Sequence, residues 1–155
     1  MEVLGIGDYY ISNSKEKIIK TYSLGSCVAI TIHCPVKKVT GMAHIALPYS
    51  TNEKDIKTRP AYFANTAIPL MLHEFSFRYG CNVNNLQVGI FGGALSIRKN
   101  DVFRIGQKNV ESIKEILRRK CLPIQQEDVG GFFSRTVEIQ VSTGKVKIHT
   151  NPIII

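Results

Sequence analysis

Residues 21–27, Thr-Tyr-Ser-Leu-Gly-Ser-Cys, run straight into Val28-Ala29-Ile30-Thr31-Ile32, and residues 41–48, Gly-Met-Ala-His-Ile-Ala-Leu-Pro, follow soon after. The run 28–32 is apolar and β-branched, which suits a strand, and the run 39–47 reads the same way. Only Cys34-Pro35-Val36-Lys37-Lys38 lies between them. A parallel partner needs a crossover of a dozen residues or more, so this short link predicts an antiparallel hairpin. Paired residue numbers in such a hairpin sum to a constant. A turn centred between Pro35 and Val36 sets that constant at 71 and puts Cys27 opposite His44. Side chains opposed in this way have Cβ atoms about 4.5–5.5 Å apart. A slip by one residue would send the two to opposite faces.

The pairing matters because of thiol chemistry. A thiol is mostly protonated at neutral pH, and the thiolate is the nucleophile. An adjacent imidazole takes the proton and later returns it to a leaving group. Cys27 is therefore the candidate nucleophile and His44 the candidate base and acid. Gly25 and Ser26 form a turn whose backbone N–H groups can hold an oxyanion beside Cys27. A third group usually orients the histidine. Thr21 is the nearest polar candidate upstream, with Ser23 and Ser26 behind it. The plain alternative is a buried small cysteine with a surface histidine. A zinc site drawn from Cys27, His33, Cys34 and His44 is a further alternative, and the absence of short paired spacings counts against it.

The stretch TYSLGSCVAI followed by GMAHIALP resembles the CheD family, the chemoreceptor glutamine deamidases of bacterial and archaeal chemotaxis. GIGDYY at 5–10, TAIPLM at 66–71, FGGA at 91–94, IGQKNVESI at 105–113, EDVGG at 127–131 and STGKVKI at 142–148 resemble further family blocks in the family order. The resemblance implies Cys27 as nucleophile, His44 as base and acid, and Thr21 as the residue that orients His44. It implies methyl-accepting chemotaxis receptors as substrates, through their cytoplasmic helices, and a CheC-type phosphatase as regulatory partner. It also allows receptor methylesterase activity through the same thioester. No cofactor and no metal is implied. The sequence departs from the family twice. Ala43 stands before the histidine where the family usually has Asn, and Ser134 stands before Arg135 where Gly is frequent. The first departure keeps a second reading open, an adaptor that binds receptor and CheC-type phosphatase with weak or no catalysis.

The rest of the chain sets the class. Its 155 residues are expected to fold as one domain, residues 1–155. No run of eighteen apolar residues occurs, so no helical membrane span is expected. The N-terminus lacks the pattern of a secretory signal, and the expected location is the cytoplasm. The four cysteines, Cys27, Cys34, Cys81 and Cys121, show no paired spacing, which argues against a disulfide framework. Cys34 is expected in the hairpin loop, and Cys81 and Cys121 are expected to pack. The formal net charge of +8 would permit nucleic-acid binding, but the basic residues are not interleaved with aromatics. A solvated basic surface, attractive to an acidic partner, is the preferred reading, with no nucleic acid bound.

Two strands are expected between residues 9 and 22, the second delivering Thr21. Residues 49–59 read as an exposed loop ending at Pro60. Residues 61–79 read as a helix capped by Asn65 or Thr66, with Pro69 in its first turn and Gly80 at its end. Residues 86–91 read as a strand leading to Gly92-Gly93, a pair taken as close packing or a tight turn rather than a phosphate cradle. Residues 106–120 read as a second helix, with Val110, Ile113, Ile116 and Leu117 on one face. Strands follow at 122–129, 135–141 and 145–149, and the terminal Ile153-Ile154-Ile155 is expected to dock or cover an edge. His73 and His149 are assigned no role. Too few helices separate the strands for a doubly wound sheet. The expected fold is α+β, a layered α/β/β sandwich of mixed or antiparallel sheets with two long helices on one face. The resemblance implies the same layering, similar to the catalytic domain of the cytotoxic necrotizing factor toxins.

Overall fold

A computed structural model describes residues 1–95 and 103–153. The hairpin of the sequence analysis forms its centre, as β4 (Val28–Cys34) and β5 (Val39–Ile45). Every residue of both strands is buried. A strand covered on both faces reads as a continuous apolar run rather than an alternating one. Around this pair stand β2 (Tyr9–Ser12), β6 (Gln87–Gly92) and β7 (Ile124–Val129), in the order β2-β5-β4-β6-β7. A second sheet has the order β1-β3-β8-β9, from Glu2–Leu4, Ile18–Leu24, Phe133–Gln140 and Val146–Pro152. Both sheets are mixed, because β6 pairs with β7 and β1 with β3 in parallel.

Alternation along β4 and β5 makes two cores. Val28, Ile30, Ile32, Cys34, Ala43 and Ile45 face the helices α2 (Ala64–Phe77) and α3 (Ile105–Arg119). Ala29 and Met42 face the second sheet and meet Leu4, Ile19, Leu24 and Val137. The result is the expected α/β/β layering with two long helices on one face.

The register differs from the expected one. Ala29, not Cys27, lies opposite His44, and Cys34 pairs with Val39. Cys34 is a fully buried strand residue rather than a loop residue. Burying Cys34 and Val39 extends both strands and leaves Pro35-Val36-Lys37-Lys38 as the turn, with Lys38 left-handed at φ 55°. The hairpin centre moves by one residue, so the paired sum moves by two. Cys27 and His44 therefore keep one face but become diagonal neighbours.

Other differences are local. Residues 53–58 form a short helix, α1 (Glu53–Thr58), in the expected loop, because the Asn52 side chain accepts from the N–H groups of Lys54 and Asp55. Helix α2 has no side-chain cap. Asn65 instead exchanges two hydrogen bonds with the Ser50 backbone, and Pro69 lies inside the helix. Gly80 sits at the expected C-terminal position with φ 66°. Cys81 packs as expected, whereas Cys121 is exposed. Strand β1 was not expected, and the two expected strands, β2 and β3, belong to different sheets. Ile153 donates to the Phe132 carbonyl, and Ile154 and Ile155 lie outside the described residues.

Candidate active site

The sequence-selected residues meet at one end of the sandwich. Cys27 immediately precedes β4, His44 lies near the end of β5, and Thr21 comes from β3 in the other sheet. Thr21 and His44 are buried, and Cys27 is partly exposed. Cys27 precedes the first ladder pair, Val28–Ile45, and stands diagonal to His44 on the face that meets the second sheet; diagonal neighbours in a ladder are about 7–8 Å apart at Cα and closer at Cβ.

Thr21 Oγ1 lies 2.9 Å from the Leu4 carbonyl oxygen and 2.7 Å from His44 Nδ1. A carbonyl only accepts, so the single hydroxyl proton goes to Leu4. Thr21 Oγ1 must then accept from His44 Nδ1–H. This assigns the tautomer and leaves Nε2 as the basic nitrogen. His44 Nε2 is buried and has no hydrogen-bond partner among the described residues. Strand β1 thus contributes a carbonyl to a three-member relay, Leu4–Thr21–His44.

Burial holds the His44 imidazole below its ordinary value, while the Asp8 charge acts in the opposite direction. Burial pushes the Cys27 thiol above its ordinary value. Both shifts favour the uncharged forms. The resting pair is thiol and imidazole, which suits a base that acts during attack rather than a standing ion pair. The loop before β2 braces this arrangement: Gly7 N–H donates to the His44 carbonyl and His44 N–H donates to the Asp8 carbonyl.

The turn Gly25-Ser26-Cys27 is fixed through its carbonyls. Those of Gly25 and Cys27 accept from Ala94 N–H at 2.8 Å and Gly93 N–H at 2.9 Å. The carbonyl of Ser26 accepts from the side chain of Asn109 on α3 at 2.9 Å. Among the described residues, no group accepts from the N–H of Ser26 or Cys27. Gly92 has φ 111°, and a Cβ there would lie 2.3 Å from the Cys27 carbonyl oxygen. The glycine pair is close packing against the Gly25-Ser26-Cys27 turn, as expected.

The chain is similar throughout its length to known proteins. The family model described as CheD chemotactic sensory transduction matches residues 46–150. The "Probable chemoreceptor glutamine deamidase CheD" of Syntrophotalea carbinolica is 42% identical over 149 residues, covering 94% of this chain and 91% of that protein. The "Chemoreceptor glutamine deamidase CheD" of Halalkalibacterium halodurans is 42% identical over 135 residues, covering 85% of this chain and 83% of that one. This chain belongs to the CheD family. A solved structure, the Bacillus licheniformis hypothetical protein YfiH, shares the fold with a TM-score of 0.50 at 15% identity. It covers 77% of this chain, and this chain spans about half of its length (49%).

The two departures of this CheD-family chain have different settings. Ala43 is fully buried on the helix side of β5, among Ile30, Ile45 and the α2 side chains, and faces away from His44. Ser134 lies within β8, paired with Asn151, and is not among the residues with positive φ. Glycine is not required there.

Two residues of the site escaped the sequence reading. Asn109 is fully buried, and its amide reaches the carbonyls of Ser26 and Ala46. It shares a buried stripe with Gly106, Ile113 and Leu117. An amide at helical spacing within an apolar stripe was the signal available. Asp8 was visible only as part of the GIGDYY block. Among the described residues, no three His, Cys, Asp or Glu side chains gather as metal ligands. Strand alternation turns Cys34 away from Cys27 and His33, so the four zinc candidates do not converge. His73 stacks on Phe77, and both His73 and His149 are exposed. No described helix is long and apolar enough to cross a membrane.

Proposed function

We propose that this chain is a protein-glutamine deamidase acting on methyl-accepting chemoreceptors, with Cys27 as nucleophile, His44 as base and acid, and Thr21 as the residue that orients His44. The relatives' names supply the substrate class. The observation that carries the chemistry is the Leu4–Thr21–His44 relay, which leaves Nε2 as a buried, unpartnered base on the face of Cys27.

In the proposed reaction His44 Nε2 takes the Cys27 proton as sulfur attacks the carbon of a glutamine side-chain amide. The oxyanion is held by backbone N–H groups of the Gly25-Ser26-Cys27 turn. The tetrahedral adduct collapses, the C–N bond breaks, and His44 returns the proton to departing ammonia. Water, deprotonated by His44, then attacks the thioester, releases glutamate and regenerates the thiol. These steps call for no metal or organic cofactor.

The proposal includes a CheC-type phosphatase as regulatory partner and a cytoplasmic location, where the receptor helices lie. The charge of +8 suits an acidic helical partner, and encounter with it would weaken with salt. The adaptor reading rested on Ala43, and Ala43 faces the helix-side core.

The test is peptide mass spectrometry of a receptor cytoplasmic fragment incubated with wild-type protein or Cys27→Ala. Wild type alone should add about one dalton at particular glutamines, as amide becomes acid. Equal gains with both proteins, or none with folded wild type and a verified receptor, would remove the assignment.

A further inference from the structure

We propose that Asn109 is the positioning residue that sets the oxyanion hole of this site, by holding the Ser26 carbonyl so that the Cys27 N–H faces the reacting centre. The proposal rests on Cys27 being the nucleophile.

Both hydrogens of the Asn109 amide are used. Nδ2 donates to the Ser26 carbonyl at 2.9 Å and to the Ala46 carbonyl at 3.0 Å. Both partners only accept, so the amide cannot be turned over without setting oxygen against oxygen. One side chain therefore ties the turn before β4 to the end of β5, two residues beyond His44. The buried amide thus adds a side-chain tie between the nucleophile turn and the histidine strand, beyond the backbone ladder that begins at Val28–Ile45.

The geometry of the peptide unit does the rest. A trans peptide is planar, and its C=O and N–H point in opposite directions. The Ser26 carbonyl is drawn toward α3, so the Cys27 N–H points away from α3. The Gly25 carbonyl is drawn toward Ala94 N–H, so the Ser26 N–H points away from Ala94. Ala94 and the start of α3 are close neighbours: a Cβ on Gly106 would lie 2.2 Å from the Ala94 carbonyl oxygen. Both carbonyls thus turn to the helix side. Both N–H groups turn to the opposite side, where Cys27 packs against the inter-sheet core and His44 is buried.

Asn109 Oδ1 is buried and has no hydrogen-bond partner among the described residues. A buried acceptor left unpaired opposes folding, and an apolar side chain at this position of the stripe would avoid it. Packing alone therefore gives no reason for an amide at 109, whereas its two donors give one.

The test separates reactions that make an oxyanion from one that does not. Alkylation of Cys27 by iodoacetamide is displacement at a saturated carbon and needs no oxyanion hole. Acylation by p-nitrophenyl acetate passes through a tetrahedral oxyanion and needs no receptor. Asn109→Ala and the isosteric Asn109→Asp remove the donors in sterically different ways, and both are assayed below their melting temperatures. Acylation of Cys27, located by peptide mass spectrometry, should fall about 10²–10³-fold, the usual loss for an oxyanion-hole donor. Alkylation should stay within about threefold of wild type, with receptor deamidation reduced in kcat rather than KM. Unchanged acylation, or alkylation falling in parallel with acylation, would overturn the proposal. A wild-type protein that acylates at Cys27 but leaves receptor unchanged would remove the function reading while still judging Asn109.

Discussion

Thr21 and His44 come from different sheets and are joined side chain to side chain at 2.7 Å, the hydroxyl accepting from Nδ1–H. The tautomer of His44 is therefore a property of the sheet-on-sheet packing. Thr21→Val keeps the shape and removes the acceptor. It leaves a buried Nδ1–H unpaired, at a cost of about 1–3 kcal/mol. It should lower kcat by about 10–100-fold, part of the 10²–10⁴ that general base catalysis supplies. Thr21→Ser keeps the hydroxyl and should retain most activity. Steady-state kinetics on a receptor fragment decide it, and equal rates for the valine and serine variants would contradict the orienting role.

A second consequence concerns pH. Burial holds His44 below its ordinary value of 6.5 and pushes the Cys27 thiol up. The acid limb of kcat/KM should therefore fall below pH 6.5. Asp8 opposes the shift, so Asp8→Asn should move that limb further toward acid. A limb at or above the ordinary imidazole value would mean that thiolate and imidazolium already exist as an ion pair at rest.

The hairpin was legible because residues 28–32 and 39–45 are apolar on both faces and Pro35 marks the turn between them. Its register was not, because loop length alone does not say whether Cys34 is turn or strand. Burial of Cys34 in the helix-side core decided that. The separation of β2 from β3 was illegible for another reason: alternation tells which face a residue takes, not which sheet its strand joins. Thr21, His44 and Cys27 could be read from chemistry and motif. Leu4 could not, because it acts through a carbonyl and any residue type would serve.

Ala43 gives a prediction opposite to the one its departure from the family suggests. The side chain lies among Ile30, Ile45 and the α2 residues. Ala43→Asn would bury an amide there, which costs about 1–3 kcal/mol without a partner. It should lower the melting temperature and leave kcat no higher than wild type. A gain in deamidation rate would show that position 43 acts on the site after all.

His33 repeats the His44 arrangement at the far end of the hairpin. Its Nδ1 lies 2.7 Å from Thr40 Oγ1, whose hydroxyl donates to the Val141 carbonyl. Burial lowers the value of His33 as well. In the unfolded chain both imidazoles gain a proton as pH falls through 6.5, while in the fold they remain neutral to lower pH. The unfolded state binds more protons in that window, so stability falls as pH falls. The slope is at most about 1.4 kcal/mol per pH unit for each histidine. Urea unfolding at pH 7.5 and 5.5 measures it, and equal stabilities would show that these two rings are not held neutral.

Arg135 reaches the same turn from the second sheet. It is buried on β8 and donates to Asp128 Oδ1 from Nε and Nη2, to the Gly130 carbonyl at 2.8 Å, and to the carbonyls of Phe133 and Gly92. Gly92 is the residue packed against the Cys27 carbonyl, so Arg135 links the second sheet to the turn that carries Cys27. Asp128 is 42% exposed, so its carboxylate keeps water when Arg135 is removed. Arg135→Met instead strands the carbonyls of Gly92, Phe133 and Gly130, at about 1–3 kcal/mol for each one shut off from water. Asp128→Asn leaves three carbonyl acceptors for the guanidinium and should cost clearly less. Lysine cannot reproduce the planar fork, so Arg135→Lys should resemble the methionine variant more than wild type. Denaturant midpoints rank the three, and a larger loss for Asp128→Asn than for Arg135→Met would show that the ion pair, not the carbonyl network, is what holds the turn.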